Sequence, residues 1–455
     1  MSYFRAQWRF LTLVSAILAL PCAAASPIFE HSLRNGLRVI VQEDHRAPTA
    51  VHMVWYRAGS VDEQNGTTGV AHVLEHMMFK GTPSVGPGEF NRRVAAVGGR
   101  DNAFTSRDYT AYFQQVPSQK LAEVMQLEAD RMRHLSLDAS AFAQEIKVVM
   151  EERRMRTDDQ APAKLFEQLN AMAFQSHPYR VPIIGWMNDL ENMSVQDARA
   201  WYERWYLPNN AYVVIVGDVA HEQVFKWAET YYGALEARPL PLRKAQEEAA
   251  QDGVRRLSLK APAALPVLLM GYKVPVLRDP TQDLEPYALE MLAAILDGYE
   301  AARLPQHLVR AQALAVEVGA SYDSTARGPG MFYLQGSPSE GKTVAQLEAG
   351  LRAEIARIQQ NGVSQTELAR AKAQLLAHQV YKLDAMFERA MDIGQLEAVG
   401  IDYHLDARMT EQRQAVTAEA VQAVAQKYFV DERLSVGELQ PQALPNAARK
   451  TAAQR

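Results

Sequence analysis

The sequence predicts a mixed helix-and-strand protein built from two similar halves, and three observations carry that prediction. The first is size. Without a leader of about 25 residues, some 430 of the 455 remain, more than a single core usually supports. The second is a break at residues 236–253, EARPLPLRKAQEEAAQDG, where prolines and a polar, charged run interrupt the periodic segments. The third is that a similar order of strands and helices recurs on either side of this break.

Before the break, residues 37–41, 51–56, 109–116 and 212–216 are short runs rich in β-branched and aromatic residues and read as strands. Segments 66–79, 118–133, 138–157, 163–174 and 194–205 read as helices. After it come a strand-like 267–272, a helix over 284–296, strands over 315–322 and 331–336, and helices over 342–359, 364–382 and 414–427. The halves read as diverged copies, with Asp297-Gly298 falling where Lys80-Gly81 follows the first helix. The expected limits are 26–235 for the first domain, 236–253 for a linker that lets the halves close on a ligand, 254–440 for the second domain and 441–455 for a tail.

The leader itself is a secretory signal peptide by pattern: Arg5 and Arg9, an apolar run over 10–20, and Ala23-Ala24-Ala25 as the small-residue cleavage site. Its apolar core is too short to span a membrane comfortably, and no other run approaches 18 apolar residues. The expected compartment is therefore the periplasm. Pro21 before Cys22 argues against a lipid anchor, and cleavage after Ala25 removes the one cysteine, so a metal would have to rest on histidine and carboxylate. A net charge of −5 with no basic block gives no footing for nucleic acid or an anionic membrane surface. At 48% hydrophobic and 22% charged residues the composition is that of an ordinary globular chain.

The chemistry is concentrated in His72-Val-Leu-Glu75-His76, the mirror order of the H-E-x-x-H zinc-protease helix. On a helix, positions i and i+4 share a face, so His72 and His76 can converge on one ion while Glu75 borders the same face and reaches a water beside it. A catalytic zinc held by two histidines needs a third donor, commonly a carboxylate. Residues 138–157 read as a helix with Asp138 as N-cap, and in it Glu145 and Glu152, seven apart, share a face. From the residues alone, Glu152 as ligand and the Glu151-Glu152-Arg153-Arg154 run as a solvated charged face are equal readings. Residues 109–116 form a strand that could lie at a sheet edge, preceded by the turn-prone Gly98-Gly99-Arg100-Asp101-Asn102. An exposed edge can hold an extended peptide through its main chain without demanding a particular sequence.

His72-Val-Leu-Glu-His76, the Glu145/Glu152 pair and the 76-residue step from His76 to Glu152 resemble the pitrilysin/insulinase family of inverted-motif zinc metallopeptidases. Arg57-Ala-Gly-Ser-Val-Asp-Glu63, Met77-Met-Phe-Lys-Gly-Thr82 and Asn102-Ala-Phe-Thr-Ser106 extend the likeness, which is strong over about 33–220 and weaker to about 440. The resemblance implies that His72, His76 and Glu152 bind Zn2+, that Glu75 is the catalytic base, that Glu145 assists catalysis by orienting a ligand, and that Asn102, Ala103 and Thr105 contact the substrate. It implies an α+β fold of two similar domains, each a mostly antiparallel sheet covered by helices, facing one another across a cleft. The expected activity is that of a zinc-dependent endopeptidase on peptides or unfolded segments.

Its length is that of the short, two-domain members such as the mitochondrial processing peptidase subunits. This implies a dimer, including one with a non-identical, metal-free homologous subunit. Family members bring an arginine and a tyrosine from the second half to the substrate carbonyl; Arg327 and Tyr333 lie in that region, but their setting does not match. The alternative is a catalytically silent member serving as a structural or peptide-binding subunit, disfavoured because all three ligands and the base are present. His45, His52, His134, His177, His221, His307, His378 and His404 lack a ligand-spaced neighbour in sequence and are read as structural or solvated.

Overall fold

The computed structural model describes residues 27–443; the expected leader, with Cys22, and the end of the tail lie outside the described residues. One sheet joins β1 (Ile28–Ser32), β2 (Arg38–Glu43), β3 (Thr49–Tyr56), β4 (Arg100–Thr105), β5 (Thr110–Pro117) and β6 (Ala211–Gly217) in the order β1-β2-β6-β3-β5-β4. Its neighbours are antiparallel except β2 and β6. A second sheet joins β7 (Arg255–Pro262), β8 (Val267–Val274), β9 (Ala315–Tyr322), β10 (Gly330–Pro338) and β11 (Leu434–Gln442) in the order β7-β11-β8-β10-β9, with β7 and β11 its parallel pair. Setting β1 aside, the two strand orders coincide in chain position and direction. The halves are copies of one α+β unit.

Helices α1 (Val70–Met77), α2 (Glu89–Ala96), α3 (Leu121–His134), α4 (Ala139–Arg153), α5 (Ala161–Ala173), α6 (Met187–Asn192), α7 (Val195–Trp205) and α8 (His221–Tyr231) precede the break in the pattern. After it follow α9 (Glu285–Asp297), α10 (Val344–Asn361), α11 (Gln365–Asp384), α12 (Met386–Val399), α13 (Asp406–Ala415) and α14 (Ala418–Tyr428). Residues 236–253 carry neither helix nor strand.

One expectation is corrected. Residues 109–116, read as a possible edge strand, lie inside the sheet, because β5 hydrogen-bonds to β3 on one flank and β4 on the other. The edge is β4, which contains Asn102, Ala103 and Thr105 themselves. Its sequence, Arg-Asp-Asn-Ala-Phe-Thr, is polar because one flank is unpaired, and edge strands carry charge where interior strands do not.

The first sheet is buried on both faces, and its strands alternate between two cores with period two. Val39, Val41, Val54, Tyr56, Tyr112, Val213 and Ile215 face α1, α3 and α7. Ile40, Val51, Met53, Trp55, Ala111, Tyr212, Val214 and Val216 face the second half, whose α12 lies across β3 and β6. The exchange is mutual: Leu165 and Leu169 of α5 pack on Leu259, Leu269 and Leu439 of the second sheet. Each half therefore lends a helix to cover the other's sheet, and this interlock resists closure about a hinge within the chain.

At the centre of the interlock Tyr212 donates its hydroxyl to the Gly394 carbonyl (2.7 Å). A Cβ at Gly394 would stand 2.1 Å from the Trp55 ring, so this helix can approach the sheet only with glycine there. Gly394→Ala is expected to cost roughly 1–3 kcal/mol, read as a lower urea midpoint with an unchanged slope.

Candidate metal centre

The site is built from the start of α1. Gly69 enters the helix in the left-handed region (φ 89°). The Glu63 carboxylate accepts from the backbone N–H of Gly69 (2.8 Å) and Ala71 (2.9 Å), and Asp189 accepts from Thr68 and Gly66. The first turn's unpaired donors are thus satisfied by carboxylates at the positive end of the helix. A Cβ on Gly185 would lie 2.3 Å from the Thr68 carbonyl, so the loop at 184–185 closes on the helix entrance backbone to backbone. Val70, Ala71, Val73, Leu74 and Met77 are buried in the first-half core, which turns His72, Glu75 and His76 to the opposite side.

The second element is α4, capped as expected by Asp138, which accepts from Ser140 and Ala141 (both 2.9 Å). Its Glu152 lies with Oε2 3.2 Å from His76 Nε2 and 3.8 Å from His72 Nε2. One ligand-type atom from each of the three residues falls within 4.8 Å of the other two. Tetrahedral zinc with bonds near 2.0–2.1 Å places its donors about 3.3 Å apart, so the donor set fits that ion in chemistry and in spacing. The His72 and His76 rings stand 4.8 Å apart at 73°, each turning a nitrogen inward.

Around the donors are groups that fix them. Glu145 accepts from His76 Nδ1 (2.9 Å), so that nitrogen carries the proton and Nε2 offers its lone pair. Lys80 binds the other Glu145 oxygen. Burial pushes the Glu145 carboxyl up, but its bonds to Lys80 and His76 outweigh this and hold it below the usual range. Arg156 pairs with Glu152 Oε1 (2.6 Å), leaving Oε2 for the histidines. Burial drives His72 down to about 3, so its imidazole is neutral, the form that ligates. Glu75 is raised by burial, against the Thr105 hydroxyl, which donates to it at 2.5 Å.

These groups open onto a cleft of about 1230 Å³. Asn102, Ala103 and Thr105 all line it, beside the free flank of β4. Apolar cover comes from Val148, Met155 and Phe166, each 40% exposed or more. Every lining residue falls between 72 and 184.

Comparison with known proteins gives the family. The family described as Insulinase (Peptidase family M16) matches 38–185, and the Peptidase M16 inactive domain matches 192–375. The chain belongs to peptidase family M16. It is 30% identical over 420 residues to Zinc protease PqqE of Helicobacter pylori, covering 90% of this chain and 92% of that protein. It is 27% identical over 416 residues to the mitochondrial-processing peptidase subunit beta of Lentinula edodes, covering 88% and 87%. The crystal structure of a protease from Helicobacter pylori superposes with a TM-score of 0.86 at 27% identity, over 91% of this chain and 100% of that one. The periplasmic protease PqqL from Escherichia coli shares the fold at TM-score 0.78 and 19% identity, over 95% of this chain and 50% of that one.

Within this M16 chain two second-half residues do not reach the cleft. The Arg327 guanidinium pairs with Asp62 (3.0 Å) and Tyr333 donates to Asn170 (2.7 Å). Neither lines the cavity. Lys80, Arg156 and Glu63 were not singled out from sequence. Arg156 stands four residues after Glu152 on the helical turn that continues α4, whereas Lys80 lies past the end of α1. Thr105 lines the cleft and its hydroxyl also donates to Glu75. Among the described residues one further ligand-type group meets, Glu43 with His221 and Glu222. There one Glu43 oxygen already accepts from both the His221 backbone and its ring (2.8 Å each).

Glu63→Ala deprives the first turn of α1 of its acceptor. The expected loss is about 1–2 kcal/mol, measured by urea unfolding, with faster amide exchange at Gly69 and Ala71 as its local signature.

Proposed function

We propose that this chain is a zinc metalloendopeptidase hydrolysing peptides or unfolded polypeptide segments. The observation that carries the reading is the meeting of His72, His76 and Glu152 on the floor of an open cleft, with Glu75 on the same helix face and a free sheet edge alongside. Those three residues would hold zinc, which would lower the pKa of water and polarise a carbonyl. Glu75 takes the proton of the attacking water and returns it to the leaving amine. Thr105 holds the Glu75 carboxylate in place, and Glu145, backed by Lys80, fixes the His76 ring. The main chain of β4 at Asn102 and Ala103 aligns an extended peptide without reading its side chains.

Export to the periplasm follows from the leader pattern, and a fold neighbour, PqqL, is named a periplasmic protease. No helix among the described residues is long and apolar enough to cross a membrane. We also propose that the working form is a dimer, with itself or with a metal-free homologous subunit. Arg327 and Tyr333 are engaged elsewhere and the cleft walls come from one half, which leaves room for a second subunit to complete the site. One relative is by name a subunit.

Purified protein is expected to cleave an unfolded polypeptide, to lose activity to a chelator and to regain it with zinc. Glu75→Gln is expected to lower kcat roughly 10²–10⁴-fold with zinc content unchanged by elemental analysis. Silence of the wild type with zinc and any co-purifying partner supplied would leave the silent-subunit reading in its place. Glu145→Gln is expected to weaken zinc binding about 10–100-fold, measured by chelator competition.

A further inference from the structure

Four carboxylates and four lysine or arginine side chains line the cleft, but most of these cations have no carboxylate partner among the described residues. Its carboxylates are all engaged: Glu75 by Thr105, Glu151 by Arg154, Glu152 by Arg156, and Glu167 by Arg153 at 2.9 Å to each oxygen. Of its cations only Arg156 has a carboxylate partner. Arg107, Arg180 and Lys147 enter no ion pair among the described residues, and the two arginines are half-buried.

Arg107 is held rather than loose. Its guanidinium stands 5.1 Å over the Tyr179 ring, a contact that supplies no anionic partner. Tyr179 is fixed in turn, donating to Asp108 (2.6 Å) and accepting from the Gly328 backbone (2.8 Å). The Asp108 carboxylate, adjacent in sequence, faces Tyr179 and the Arg327 backbone. Arg180 follows Tyr179 directly, and its one contact is a 3.4 Å bond to the Gln175 carbonyl. Both guanidinium groups line the cleft, and a planar guanidinium is suited to a carboxylate.

Position relative to the chemistry follows from the chain. Thr105 touches the base, and Arg107 lies two residues beyond it, at most about 7 Å of backbone. Arg107 lies past the end of β4, in the turn to β5, and lines the same cleft as Arg180.

We propose that this part of the cleft recognises a carboxylate of the peptide, within a few residues of the scissile bond. The carboxylate belongs to an acidic side chain or to the peptide's own C-terminus. The inference deepens the peptidase reading and rests on it for the term substrate, but its test is a binding measurement.

Fluorescently labelled peptides are titrated against the full-length Glu75→Gln protein loaded with zinc, in matched sets: Glu against Gln at successive positions, and free acid against C-terminal amide. The acidic or free-acid member is expected to bind roughly 10–100-fold tighter. The contrast between the sets assigns the carboxylate to side chain or terminus. Adding Arg107→Glu should abolish that preference and favour the matched Lys peptide, with circular dichroism confirming the fold. On the wild type the same preference should appear in KM rather than kcat. Equal binding within every matched set overturns the proposal, whether or not the wild type cleaves. Discrimination in binding by a protein that cleaves nothing upholds the carboxylate site and overturns the peptidase reading instead.

Discussion

A centre assembled from α1 and α4 exists only if two helices far apart in sequence hold their registers to a fraction of an ångström. Both starts are pinned by carboxylates: Glu63 and Asp189 at the first, Asp138 at the second. The pins differ in strength. Asp138 is an ordinary exposed cap, whereas the entrance to α1 is closed by backbone touching backbone at Thr68 and Gly185, a contact with no side chain to give way. Glu145 then ties the far end of α1 to the middle of α4, one oxygen on His76 and the other on Lys80. With the starts fixed and this cross-tie in place, neither helix can slide without breaking a charged contact.

The same economy joins the centre to the cleft. Thr105 belongs to the edge strand and its hydroxyl holds the Glu75 carboxylate, so the strand proposed to align a peptide also positions the proposed base. Main-chain pairing along β4 is indifferent to sequence. Selectivity would then come from the walls, where apolar Val148, Met155 and Phe166 accompany Arg107, Lys147 and Arg180, which enter no ion pair among the described residues.

Most of this was legible where chemistry leaves a spacing. The H-x-x-E-H order and the Glu145/Glu152 pair need only helical geometry to be read, and the family likeness resolved Glu152 from a solvated charge run. What was illegible depended on neighbours. The strand β4 is polar because it lacks one, so alternation gave no signal, and the interior β5 beside it took the part of the edge. Helix α12 has a glycine in its middle, which argues against a helix in sequence, yet Gly394 is there because Trp55 leaves no room for a Cβ. Lys80 lies past the end of α1, where no periodicity marks it, and its role appears only once α4 brings Glu145 beside it.

The second half poses a separate question, since it repeats the topology and keeps none of the ligands. Its α9 takes the chain position of α1, but nine of its thirteen residues are buried and no histidine is among them, the pattern of a helix that serves a core on nearly all sides. The exchanged helices explain why such a half persists. Without α12, the row from Val51 to Trp55 and from Tyr212 to Val216 would face water, an apolar sheet face next to the strand pair that carries the edge β4. Without the second sheet, α5 would lose the surface for Leu165 and Leu169, and α5 also supplies Phe166 and Asn170 to the cleft wall. The second half thus serves packing: it dries the rear of the sheet whose front face carries the helix of His72 and His76.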